Sequence, residues 1–548
     1  MNLQRLLFMI MMWGNLCATI SQEPHVVIVF VIDQFPYYYL QRLQPHLQKG
    51  GFNRFVKEGV LYTKAYHAHG VPETTPGHST LSTGVLPVNH GATSNRWFQE
   101  GKSIEFSADK RKSAAVLNAP SSAPGRSPLH LEVDTISDQM GIHQATKHVY
   151  KAYSMGIKET SAIATAGQHM PAFWFNRFQG GFTSSRHYMR ELPKWVKHFN
   201  ERSGVKQLKK VSWDLRFDRK SDAYDFPFID NYEFAALPFK LAGNKEILID
   251  HTQKDPFANY LRTPASNQLI LDFAVDCLQN VYKKNKNEKI LLWVCLSPLD
   301  LLGHMYGPQS LEVTDFIYHL DQQLYQCMTK IETMVSKTAP VTFILTADHG
   351  VQPIQEISQK LGMPGARRIM AKELMDKINQ EINRKFGVEK LLANFESTYF
   401  IYDENAADQL EDAGQLDAAE AVVKSMLKAE AGIHEAWSYA ELKQMICRPD
   451  SAEQFYKNHL VKGRLGDIIV QPKPYCLVTN YPTGCSHNTP YEYDTHVPLA
   501  FYQKGIQAKK IRRTVYTSQL APSIAQLLDI PAPSASTSEM LPHLLMEA

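Results

Sequence analysis

His25-Val26-Val27-Ile28-Val29-Phe30-Val31-Ile32 is an unbroken, mostly β-branched run that stops at Asp33. A strand with one wet face alternates apolar and polar side chains. This one does not, so both faces are expected to be covered, as in a parallel sheet between helical layers. Runs of the same type recur at 290–296, leading into Ser297-Pro298-Leu299-Asp300, and at 341–345, closing at Asp348-His349-Gly350. Helical periodicity fills 37–47, 131–144, 267–283, 313–335 and 517–528. Further strands are read at 61–68, 149–155, 467–471 and 497–502. Strands alternating with helices predict an α/β fold, a mostly parallel central sheet flanked by helices.

Two stretches break that rhythm. Residues 170–260 are aromatic-rich and weakly periodic, and 365–465 are helix-rich and charged. Both are read as cap insertions in a single domain spanning 22–548, since loops over a rigid sheet carry specificity. Of the 548 residues, 44% are hydrophobic and 21% charged, which describes an ordinary globular chain. A net charge of +3 gives no reason to expect nucleic acid or an anionic membrane as partner. Lys110-Arg111-Lys112, inside a polar stretch at 99–130, reads as a solvated face.

The first residues carry one positive charge, an apolar run at 6–18, then Ala18-Thr19-Ile20-Ser21. This pattern predicts an export signal over 1–21, cleaved near Ser21, and hence a periplasmic or secreted protein. No later stretch is long and apolar enough to span a bilayer, so none is expected in the mature chain. Beyond Cys17, the best candidate disulfide is Cys476 with Cys485. Cys277, Cys295 and Cys327 lie in apolar patterns and are expected to be buried thiols.

Chemistry gathers where the strands end. Asp33, Asp300 and Asp348 each follow a buried-type strand, and ligands of open α/β sheets collect at the carboxyl ends of strands. Asp300 and His304 are four apart on one helical face, and Asp348 adjoins His349. A late loop holds Gly484-Cys485-Ser486-His487. Mixed aspartate and histidine donors suit zinc. Glu73-Thr74-Thr75-Pro76-Gly77-His78 adds a hydroxyl just before a proline-led helical turn, where backbone N–H groups favour a phosphate oxygen. Glu73 and His90 have plain surface readings.

These motifs together resemble the alkaline phosphatase superfamily. The nearest subgroups are periplasmic threonine-nucleophile alkaline phosphatases and the related nucleotide pyrophosphatase/phosphodiesterases. The resemblance rests on Val-Ile-Asp33, Thr74-x-Pro-Gly-His78, Asp300-x3-His304, Thr-Ala-Asp348-His349-Gly and Gly-x-x-His487, and it leaves out the two insertions. It implies that fold and a two-zinc site cleaving phosphate esters through a phosphothreonine. Thr74 matches the nucleophile and a metal contact. Asp33, Asp348 and His349 match ligands of the zinc that activates it; Asp300, His304 and His487 match ligands of the other. Asn95 and Lys158 match the groups that contact phosphoryl oxygens. Thr75 falls at a variable position, and His78, in Pro-Gly-His, is read as structural, packing the nucleophile turn. His496, in Asp494-Thr495-His496, is the rival to His487 and otherwise an outer-shell candidate. The monoesterase branch carries Lys-x-Arg, whereas here Lys158-Glu159-Thr160 puts a neutral hydroxyl where arginine is expected. Arginine grips a phosphoryl group with two bonds and threonine cannot. Monoester hydrolysis is therefore the leading expectation and diester hydrolysis its alternative. Transfer to an acceptor other than water and an inactive phosphate-binding relative stand behind both.

Overall fold

The computed structural model describes residues 26–120, 123–143, 149–237, 239–283, 288–335 and 340–544; the expected export signal lies outside them. The central sheet has ten strands. They are β1 Val26–Ile32, β2 Val60–Tyr66, β3 Val149–Gly156, β4 Ala172–Phe175, β5 Phe182–Thr183, β6 Glu288–Leu296, β7 Val341–Thr346, β8 His496–Gln503, β9 Lys509–Ile511 and β10 Val515–Tyr516. Their spatial order is β9-β2-β8-β7-β1-β6-β3-β4-β5, and β10 also pairs with β2. β1 lies parallel to both β6 and β7, β6 to β3, and β3 to β4. β8 runs antiparallel to β7 and β2, so the sheet is mixed and mostly parallel.

The uniform run in β1 is explained by its two neighbouring layers. Val26, Ile28, Phe30 and Ile32 enter one hydrophobic cluster; Val27, Val29 and Val31 enter another on the opposite face. The first face is covered by helices α1 Tyr37–Leu43, α5 Pro264–Val281 and α7 Leu311–Val335. The second is covered by α3 Ile136–Ile142 and α8 Leu520–Leu528. Each such side chain withdrawn from water contributes about 1.5–3 kcal/mol. Three more helices carry the site: α2 Thr74–Thr83, α4 Glu159–Ala166 and α6 Pro298–Tyr306.

Several expectations need correcting. The 37–47 helix stops at Leu43 and continues as a 3-10 turn containing Pro45, which cannot donate a backbone bond. The helix expected at 131–144 begins only at Ile136, because Thr135 and Asp138 form a reciprocal cap there. Strand 467–471 is not in the central sheet. As Ile468–Pro472 it joins Leu392–Glu396, Tyr399–Tyr402 and Ile433–Ser438 in a four-stranded antiparallel side sheet with its own apolar cluster. Cys476 and Cys485 are both free thiols. Cys476 Sγ donates to Gly365 O (3.3 Å) and Cys485 Sγ to Gly303 O (3.1 Å), so each has its own partner in a different place. Cys277, Cys295 and Cys327 are buried thiols as expected. Among the described residues no helix is long and apolar enough to cross a membrane.

Candidate metal centre and its nucleophile

Because β1, β3, β6 and β7 run the same way, their carboxyl ends meet at one edge. Asp33 N donates to Leu296 O (3.1 Å) and Phe35 N to His349 O (3.0 Å), which ties the ends of β1, β6 and β7 together. Asp33, Asp300, Asp348 and His349 are thereby buried side by side. Two groups have donor atoms close enough to share a cation: Asp33 with Asp348 and His349, and Asp300 with His349 and His487. His349 thus stands between the two groups rather than belonging to one. His304 joins through Nε2, 3.0 Å from Asp300 Oδ1.

The donor set fits metal in three ways. Both Asp33 oxygens, Asp348 Oδ2 and His349 Nε2 are buried with no well-formed hydrogen bond and make ion-pair contacts instead, Asp33 with His349 (3.3 Å) and Lys158 (2.9 Å) and Asp348 with His78 (3.2 Å). Such orphaned atoms are costly unless a cation completes them. The Nδ1 atoms of His304, His349 and His487 each bond a backbone carbonyl, of Cys485 (3.0 Å), Gly350 (2.9 Å) and Pro72 (2.7 Å). That fixes each tautomer and leaves Nε2 to ligate. Finally, protons stand in for cations. Burial disfavours a charged His349, yet Asp348, Asp33 and Asp300 outweigh it and lift its pKa to about 9. Burial and Asp33 raise Asp348, whereas burial and Asp300 are outweighed at Asp33, which Lys158 and His349 hold at about 2. His487 is pushed well down by burial, His349 and His304, so it stays neutral. The positive charge that these carboxylates draw from His349, His304 and Lys158 is charge that divalent cations would supply in their place.

His496 is elsewhere. Its Nε2 bonds Thr63 O (3.0 Å) and its ring stacks between Tyr37 and Tyr66. The structure therefore brings His487, not His496, to the cluster.

Thr74 opens α2 as its first helical residue, with Glu73 as N-cap, rather than preceding the helix. The helix is buried all round, not amphipathic. Gly77 explains the Pro-Gly-His spacing, since a Cβ there would lie 2.2 Å from Asp348 O. Only glycine lets α2 approach the metal-side backbone this closely. His78 adds a structural brace, Nδ1 lying 2.8 Å from Thr74 O and 3.2 Å from Asp348 Oδ2. Lys158, two residues past the end of β3 and the N-cap of α4, sends Nζ to within 3.1 Å of Thr74 Oγ1, 2.9 Å of Asp33 and 2.5 Å of Asp300.

Asn95 Oδ1 accepts from Thr75 N (3.0 Å) and Thr75 Oγ1 (2.6 Å). With the carbonyl end of its amide held, Asn95 keeps Nδ2 as donor for a ligand in the cavity it lines. Thr75 thus orients Asn95, a role its sequence position did not suggest. Glu73 and His90 are buried, not surface residues. Glu73 accepts from Asn95 N (2.9 Å) and from Ser397 Oγ at the side-sheet hairpin tip. His90 Nε2 meets Thr80 Oγ1 (3.1 Å) and so fastens α2. Gln34 was also missed; its Nε2 donates to Asp300 Oδ1 (2.8 Å) and its N to Asp348 Oδ1 (3.2 Å). Its φ of 62° is the kind of strained position that marks a functional turn.

A cavity of about 660 Å³ opens over this edge, lined by Asn95, Lys158, Thr160, His304 and His487 and walled by the hairpin at Phe395–Ser397 and the 477–488 loop. The chain matches the family model described as type I phosphodiesterase / nucleotide pyrophosphatase over residues 27–496. It is 29% identical over 543 residues to the alkaline phosphatase PafA of Elizabethkingia meningoseptica, covering 95% of each chain. It is 26% identical to the alkaline phosphatase PhoV of Synechococcus elongatus, over 95% of this chain and 93% of that one. Its fold superposes on the crystal structure of wild-type PafA with a TM-score of 0.83 at 24% identity, covering 96% of this chain and 100% of that one.

Proposed function

The chain belongs to the type I phosphodiesterase / nucleotide pyrophosphatase family of phosphoester hydrolases, and from that premise we propose that it is an exported two-zinc phosphohydrolase cleaving phosphate monoesters through a phosphothreonine on Thr74. One observation carries the reading. A buried hydroxyl at a helix N-terminus lies 3.1 Å from Lys158 Nζ, beside two clusters of metal-type donors.

Asp33, Asp348 and His349 would hold one zinc, and Asp300, His304 and His487 the other, with Thr74 as a contact. When bound, the pair supplies Lewis acidity, lowering the pKa of a hydroxyl and neutralising charge on a departing oxygen. The protein's own residues do the rest. α2 presents Thr74 at its N-terminus, where the helix dipole favours an anion. Lys158 donates to Thr74 Oγ1, favouring the alkoxide over the alcohol. Asn95, its amide held by Thr75, directs Nδ2 at a phosphoryl oxygen, and Lys158 faces the same charge. Thr74 Oγ1 attacks phosphorus, the ester oxygen leaves, and water then cleaves the phosphothreonine.

Neutral Thr160 in the cavity wall keeps diester hydrolysis as the second reading. The test is turnover of an aryl phosphate against the matched aryl methyl phosphate with zinc present. A clear excess for the monoester supports the first reading. An excess for the diester replaces it with the second, and turnover of neither removes both.

A further inference from the structure

The rim of the catalytic cavity is electrically divided. At one place two carboxylates share one guanidinium: Arg126 bonds Glu105 Oε2 (2.9 Å) and Glu159 Oε1 (3.2 Å). At another two guanidiniums are neighbours. Arg177, two residues past the end of β4, lines the cavity and donates from one nitrogen to Asp255. Arg262 lies within its field and, among the described residues, has no carboxylate of its own. Its Nε donates to Leu301 O (3.3 Å), beside Asp300 in the cavity wall, and Nη1 to Asn259 Oδ1 (3.4 Å).

Two neighbouring guanidiniums, of which only Arg177 is paired directly with an acid, in a partly desolvated wall leave room for an added anion. Burial, against the opposing charge of Glu159, pulls the pKa of Arg177 down, and burial with the neighbouring Arg177 charge pulls that of Arg262 down; Glu159 is itself held by Arg126. The other cavity arginines differ in their surroundings. Arg368, 7% exposed, spends its donors on Glu356 and the carbonyls of Tyr481 and Gly484, and Arg96 pairs with Glu396 (2.8 Å). Arg177, at 45% exposed, has donors to spare, as Arg96 does, but it alone has a second guanidinium, Arg262, in its field.

We infer that Arg177, backed by Arg262 and steadied by Asp255, is a receptor for a negative charge on the leaving group. The preferred substrates are then phosphate monoesters whose alcohol side carries its own carboxylate or second phosphate. This rests on the monoesterase reading, in which Lys158, Asn95 and the metal site take the transferred phosphoryl group and leave the rim to the alcohol.

The test compares three aryl monophosphates of matched leaving-group pKa, bearing a carboxamide, a carboxylate or a second phosphate, with the zinc-loaded parent, Arg177→Ala and Arg177→Glu. The parent should favour the carboxylate over the carboxamide by about tenfold in kcat/KM, chiefly through KM, and the preference should shrink in high salt. A larger factor for the phosphate arm would identify the doubly charged group as the better fit; a smaller one would identify the carboxylate. Arg177→Ala should erase the preference and Arg177→Glu should reverse it, both leaving carboxamide turnover within about twofold. A parent without preference, or an Arg177→Ala variant that keeps it, overturns the inference while the phosphatase reading stands. A parent that hydrolyses none of the three overturns both.

Discussion

Lys158→Ala is the substitution whose outcome the geometry constrains most. Nζ sits 3.1 Å from the Thr74 hydroxyl and bridges Asp33 and Asp300. Losing a hydrogen bond to a charged group costs about 1.5–3 kcal/mol, and removing one donor to a developing oxyanion typically lowers kcat by about 10²–10³. A monoester brings two negative charges and a diester one. At about 4 Å and an effective dielectric near 20, each charge meets the ammonium with roughly 4 kcal/mol. Screening by solvent and zinc leaves about a third of that, near 1.4 kcal/mol or tenfold. We therefore expect kcat/KM to fall about 100-fold for an aryl phosphate and about tenfold for the matched aryl methyl phosphate. Both are measured at saturating zinc, with metal content checked on the variant. Equal losses for the two substrates would mean that Lys158 does not face the transferred group, and the diesterase reading would become the better one.

Other outcomes follow from the same neighbourhood. Thr74→Ala should lose at least about three orders of magnitude in kcat, whereas Thr75→Ala should lose about tenfold through a loosened Asn95, with Thr75→Ser restoring it; a larger effect at Thr75 than at Thr74 would reverse their assignment. Gly77→Ala should weaken metal binding, read by zinc titration, because its Cβ would push on the Asp348 backbone; parent-like affinity would contradict that packing. Burial holds His67, His90 and His459 neutral, with pKa values near 3, 3 and 4 against 6.5 in the open chain. The unfolded state then binds more protons below pH 6.5, so stability is present above that pH and drains away as pH falls towards 4, by about 2 kcal/mol per histidine at pH 5. Urea melts at pH 7 and 5 should differ accordingly, and equal midpoints would refute the burial argument.

Much of the site was legible because it sits at the ends of strands that announce themselves. The β1 run marks Asp33 without help, and the equivalent runs mark Asp300 and Asp348, since the parallel order brings all three to one edge. The Gly77 position was readable as a pattern, but its reason, the Asp348 backbone, needs two segments more than 250 residues apart to be seen together. Glu73 looked like an ordinary surface acid because its partner, Ser397, lies on a hairpin 324 positions away. Thr75 looked dispensable for a similar reason, since Asn95 comes from a loop beyond α2. His487 and His496 carry the same chemistry in neighbouring segments; the carbonyls of Pro72 and Thr63 separate them, and no local pattern encodes that. The Ile468–Pro472 strand was visible as a strand, but its sheet was not, because β-pairing is a long-range choice.

In the proposed function, two clusters of buried donors each hold a zinc on which turnover depends. Elemental analysis of the purified protein, paired with aryl phosphate turnover during stepwise zinc removal and return, tests it most directly. The expected result is about two zinc ions per chain, loss of activity as they are stripped and recovery as they are restored. Full turnover by protein carrying no bound metal would contradict it.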